Sequence, residues 1–307
     1  MENPDGAMAT PRSPLGSRRT LGAELRRLRT RSGLTLDDVA ARMTCSTSKI
    51  SRLENGKGIP KIPDVRELIR IYGVTSESER ETLLRLVHDG RERGWWEPLR
   101  DALPHDLVVD LTVRHAALES EALRVSAFEI VFVHGLLQTP DYTRAVLYAG
   151  GGARTEEEFE RLLELRRRRQ EALLRPDSPM LFVLVLDESV LHREVGSPSV
   201  MADQLDHLSD MAQRPNVSIR ILPFSTGVRG GHGGPFGVME FPPGSGSDIV
   251  YLEGHSGLAH LDAPSDVEHY RAMFGDLLVA SRPQDVSKAE IDRFRDIHRA
   301  RAKDRSA

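Results

Sequence analysis

The run TLDDVAARMTCSTSKISRLENG, Thr35 to Gly56, constrains this chain more than any other stretch, because its apolar spacing fits two short helices around a tight turn. Thr35 carries the hydroxyl of a helix N-cap, and Val39, Ala40 and Met43 share one helical face, which is therefore core. Ser46 is placed to cap the next helix, on which Ile50 and Leu53 point inward. On the opposite side Ser48, Ser51, Arg52 and Asn55 recur at i, i+3, i+4 and i+7. Gly56 supplies a left-handed stop. Short hydroxyls let a helix approach the major groove of double-stranded DNA, and arginine pairs bidentately with guanine, so the free stripe suits base reading. A plain solvated face is the alternative. The flanking helices, one with Leu21, Leu25 and Leu28 before Gly33, favour a folded module that presents the stripe.

Residues 20–73 resemble the λ-repressor and Cro type of helix-turn-helix domain, on the strength of S-R-L-E-N-G at Ser51 to Gly56. The resemblance implies five helices, near 20–31, 35–43, 46–54, 62–72 and 76–89. It puts Thr47, Ser48 and Arg52 where base-contacting residues occur, and Asn55 and Lys61 near phosphates; Lys49 and Ser51 complete the expected DNA-binding set. It also implies a largely buried ion pair between Arg29 and Glu54. Leu36 departs from the pattern, standing where many relatives carry a polar residue that grips the DNA backbone.

A chain of 307 residues is long for one core, and its charge is unevenly distributed. Residues 18–73 carry 13 Lys/Arg against 6 Asp/Glu, a balance of +7, while residues 74–307 carry 28 against 38, a balance of −10. Only charge within a Debye length of roughly 8 to 10 Å acts at the phosphates, so a basic first domain binds DNA despite an acidic second one. The single cysteine, Cys45, excludes an internal disulfide and a cysteine-rich zinc site, and is expected as buried filler in the motif turn. No apolar run approaches the ~20 residues of a spanning helix, and the start lacks the apolar core of a signal peptide. The expected organisation is a flexible arm over 1–17, a DNA-binding domain over 18–90, a junction over 91–104 and an effector domain over 105–303. The expected location is the cytoplasm, at the nucleoid.

In the junction, Trp95 and Trp96 are read as packing anchors. Residues 106–129 read as one long amphipathic helix with Leu107, Leu111, His115, Leu118, Ala122 and Val125 on one side. Thr155 and Glu158 form a capping box for a helix that ends in Arg166 to Arg169; four arginines invite a nucleic-acid reading, but cations belong at a helix C-terminus and their spread around the wheel dilutes any single basic stripe. Strands follow at 180–186, 217–224, 236–241 and 248–254, the first two in a βαβ unit around a helix at 198–213 and the last two as a hairpin. Closing helices near 264–281 and 287–302 complete an α/β or α+β domain with a small mixed sheet.

This second half resembles the antitoxin-like effector domain of actinobacterial regulators. The residues that carry the resemblance are GWW at 94–96, GLLQTPDY at 135–142, LDESVL at 186–191, QLDHL at 204–208, RPNVSIRILPF at 214–224, GGPF at 233–236 and VYLE at 250–253. The resemblance implies a small partner protein or small-molecule effector. His134 replaces the proline usual before G-L-L-Q-T, which implies a less rigid loop. Asp187, Glu188 and His192, with His232, His255 and His260, lack the spacing of a metal site. G-H-S-G at Gly254 to Gly257 is not a nucleophile elbow. The expectation is a multidomain, sequence-specific transcriptional regulator, an all-α five-helix domain followed by an effector domain. It is expected to be homodimeric, without catalytic residues, metal or cofactor and without membrane contact. An antitoxin-type interaction protein that regulates its own operon, and a DNA-targeted hydrolase, are the alternatives.

Overall fold

The structure, a computed structural model, describes residues 13–104, 107–150, 155–227, 233–254 and 257–306. The chain divides into two compact units, one of Met1–Glu97 with Pro242–Ser247 and one of Pro98–Phe241 with Asp248–Ala307. Among the described residues no helix is long and apolar enough to cross a membrane.

Five helices make the first unit: α1 (Pro14–Arg31), α2 (Leu36–Arg42), α3 (Thr47–Glu54), α4 (Ile62–Ile71) and α5 (Glu77–Asp89). The first starts earlier than the sequence suggested. Ser13 accepts from the Gly16 N–H and Pro14 fills the first turn, so Pro14 to Ser17 are helix and not arm; the remainder of the expected arm, 1–12, lies outside the described residues. Thr35 and Asp38 form a capping box on α2, Ser46 caps α3 and Ser76 caps α5. Leu21, Leu25, Leu28, Val39, Ile50, Val65, Leu68, Leu83 and Leu86 fill the core, with Leu36 and Cys45 half-buried against it. Gly22 lets α1 touch the end of α3, because a Cβ there would lie 2.5 Å from the Glu54 carbonyl oxygen.

After α6 (Glu97–Asp101), the second unit alternates helix and strand. The expected helix over 106–129 is instead α7 (Leu107–Glu119), a turn, and strand β1 (Arg124–Glu129). Then follow α8 (Pro140–Ala149), α9 (Glu156–Gln170), β2 (Leu181–Asp187), α10 (Ser189–His192), α11 (Pro198–Met211), β3 (Val217–Leu222), β4 (Phe236–Glu240), β5 (Ile249–Gly254), β6 (Gly257–Leu261), α12 (Pro264–Ala280) and α13 (Gln284–Ser306). The six strands form one mixed sheet in the order β3-β2-β1-β4-β5-β6. β1, β2 and β3 are parallel, with the predicted crossover through α11, and β4 to β6 are antiparallel. The β4–β5 hairpin stands as read from sequence; β6 extends it.

Register decides what each face of the sheet holds. Phe128, Val185 and Phe236 pack with Phe274 and Leu277 of α12 on one face. On the other, Ala127, Gly237, Tyr251 and His260 stand in one row across β1, β4, β5 and β6. Two small residues beside a large one leave a depression, and the Tyr251 ring lies in it: a Cβ on Gly237 would come within 2.2 Å of that ring.

Candidate nucleic-acid interface

The two motif helices meet at a turn in which Thr44 takes φ of 50° and Gly56 closes α3 at φ of 61°. Ile50 is buried and Leu53 half-buried on the inner side of α3, which turns Ser48, Lys49 and Arg52 to solvent and leaves Thr47, Ser51 and Asn55 half-buried. The expected stripe is therefore one continuous face. Thr47 donates its hydroxyl to Asp37 Oδ1 at 2.7 Å, joining α3 to α2. Lys49 Nζ lies 2.9 Å from Asp64 of α4, an exposed pair. Arg52 makes one long contact, 3.4 Å to the Lys57 carbonyl, and its guanidinium is otherwise directed outward. Asn55 caps α3 at its C-terminus and accepts from Arg26, while Lys61 is exposed at the N-cap of α4.

What holds this face still is the Arg29–Glu54 pair. Arg29 Nε and Nη2 donate to the two Glu54 oxygens at 2.7 and 3.0 Å, and Nη1 donates to the Leu34 carbonyl at 2.9 Å. Glu54 is buried and Arg29 mostly so, as the resemblance implied. The fork-to-fork geometry fixes α3 against α1 in one orientation. Arg18 donates to the Gly90 carbonyl at 2.5 Å, and the buried Arg19 to the Ser245 carbonyl at 3.0 Å.

Of the enzyme-like candidates, Glu188 and His192 are neighbours and His260 lies elsewhere. Glu188 accepts from the Phe224 N–H at 2.9 Å, and His192 approaches it at 3.5 Å. His260 instead faces His115 at 3.4 Å, and His232 and His255 lie outside the described residues. Among the described residues no group of three His, Cys, Asp or Glu is arranged to hold a metal ion.

A polar cluster that sequence reasoning missed occupies the helix-covered side of the second unit. Glu119, at the end of α7, is wholly buried and accepts from Arg169 Nε of α9 at 2.6 Å. Its other oxygen lies 3.6 Å from both His115 Nε2 and His134 Nε2 and has no hydrogen-bond partner. Burial alone would raise this carboxyl; Arg169 and His115 outweigh it and hold Glu119 well below the usual carboxylate range. His134 corrects the sequence reading: it is buried, not part of a loosened loop. Its Nδ1 accepts from the Leu136 N–H at 3.2 Å, so the proton sits on Nε2, 2.8 Å from the Tyr251 hydroxyl. Burial moves its pKa down to about 3 despite Glu119. Arg169, in the last turn of α9, is buried on Glu119, while Arg166 donates to Gln138 Oε1 at 2.5 Å.

Two protein-family models match the chain: one described as a Helix-turn-helix domain, over residues 20–83, and one described as a Domain of unknown function (DUF5753), over residues 112–293. No curated protein and no solved structure matches. The helix-turn-helix domain makes the chain a DNA-binding regulator of transcription.

Proposed function

We propose that this chain, which belongs to the DUF5753 family and carries a helix-turn-helix domain, reads a specific operator through α3 as a homodimer and takes its signal through the second unit. Arg52 and Ser48 face bases, with Thr47 and Ser51 at the edge of the contact, and Lys49, Asn55 and Lys61 follow the phosphates. The observation that carries this reading is the exposed α3 stripe held in place by the buried Arg29–Glu54 fork. The signal is a small effector or a small partner protein of the antitoxin-like kind, and the protein works at the nucleoid without catalysing a reaction. His260 stands against His115, apart from the Glu188–His192 pair, and this supports a binding role over a catalytic one.

Selection of duplexes from a random pool by the full chain tests it. The expected product is a sequence with two related half-sites about 10 to 10.5 base pairs, or a multiple of that, apart. A pool that remains unenriched at moderate salt would rule out sequence-specific binding. A single half-site would rule out the dimer alone.

A further inference from the structure

We infer that the second unit contains a binding site for a small organic carboxylate, formed where the Arg166 and Arg169 guanidiniums converge over Gly135 beside the Glu129 carboxyl. This deepens the proposed effector role of the second unit, and its test reads ligand binding directly, so its failure leaves the DNA reading untouched.

The geometry starts from a missing side chain. A Cβ on Gly135 would lie 3.3 Å from Arg169 Nη2 and 3.4 Å from Arg166 Nη1, so both guanidiniums close over the same point of backbone. Arg169 has a counter-ion in Glu119, whereas Arg166 has the uncharged oxygen of Gln138. Burial, with Arg169 alongside, brings the Arg166 pKa down to about 10, which marks a cation short of negative charge even though Glu253, Glu119 and Glu129 are within electrostatic range. Among the described residues no hydrogen bond reaches Arg166 Nε or Nη2, or Arg169 Nη1 or Nη2. No hydrogen bond or ion pair reaches the buried Glu129 carboxyl among them either.

Those open groups fit one ligand. A planar carboxylate presents two oxygens to guanidinium forks, and a monoanion matches the single unanswered positive charge of Arg166. Burial, with Glu253 and Glu119 nearby, pushes the Glu129 carboxyl well above its usual range, which favours its protonated, hydrogen-bond-donating form. The Tyr251 ring already fills the low row over Ala127 and Gly237, which leaves the ligand no room there and favours a small one. A phosphate dianion would bring a second negative charge toward Glu119 and Glu253.

Propionate is the probe, with inorganic phosphate and propylammonium chloride compared at equal ionic strength, on the full chain by calorimetric titration and equilibrium dialysis. Saturable one-site binding of propionate is expected, and Arg166→Gln should weaken it by about tenfold to a hundredfold, the range for a hydrogen bond to a charged group. Gly135→Ala, which keeps every charge and crowds both guanidiniums, should weaken it as well, and its melting point tells site loss from unfolding. Unsaturable propionate uptake by the native chain overturns the proposal. So does native affinity in both variants. Tighter binding of phosphate or of propylammonium overturns the carboxylate assignment.

Discussion

Glu54 and His134 are both buried titratable side chains, and each makes its unit depend on a partner that lies far away in sequence. Removing Glu54 strands the Arg29 guanidinium, which otherwise holds both its oxygens at 2.7 and 3.0 Å. Glu54→Ala should therefore destabilise the first unit by about 3–5 kcal/mol, a change that urea denaturation followed by circular dichroism would register. His134 acts through protons. Folded, it stays neutral down to about pH 3, whereas an ordinary histidine takes up a proton near 6.5. Between those values the unfolded chain binds more protons, so stability is complete above about 6.5 and falls as pH falls. His207, also lowered by burial, adds to this slope. Urea midpoints measured from pH 7 to 4.5 should drop in the native chain and drop less steeply in His134→Asn; equal slopes would mean that His134 titrates normally.

Among the elements, α3 carries the sharpest test. Arg52 is exposed and bound only loosely to Lys57, and Lys61 is exposed beyond the helix. Arg52→Ala should cost about 1–3 kcal/mol on the preferred duplex and relax base preference, while Lys61→Ala should weaken all duplexes alike and lower the salt slope by about one. Fluorescence anisotropy over a salt series separates the two; an Arg52 variant with unchanged preference would remove α3 from the recognition role. The two motif helices were legible because Thr35 and Ser46 each sit directly before an apolar pattern, while the fourth and fifth helices were implied by the resemblance alone. β1 was not. Leu118, Ala122 and Val125 continue a helical step by accident, and the turn at 120–123 holds neither Gly nor Pro to mark the break. The buried cluster was invisible for a different reason, since Arg169 reads as an ordinary C-terminal cation until a fold sets it on a glutamate fifty residues away.

For the whole molecule, the charge division of +7 over residues 18–73 against −10 over residues 74–307 and the separate cores fit the proposed division, with contact with DNA in one unit and sensing in the other. If propionate alters operator affinity, the operator must alter propionate affinity by the same factor, typically about 5 to 150-fold, because coupling free energy has no direction. Titrating each ligand in the saturating presence of the other would reveal unequal factors, and those would show that the two effects do not belong to one equilibrium. The sheet of the second unit has its own constraint across generations. Any side chain at position 237 meets the Tyr251 ring at about van der Waals overlap, with the nearest carbon 2.2 Å from where a Cβ would stand. The glycine cannot drift alone: a lineage that exchanges it must first, or at once, trade the tyrosine for something smaller, and so give up the hydroxyl that His134 meets at 2.8 Å. Among descendants of this chain, position 237 should therefore change only where 251 has changed too.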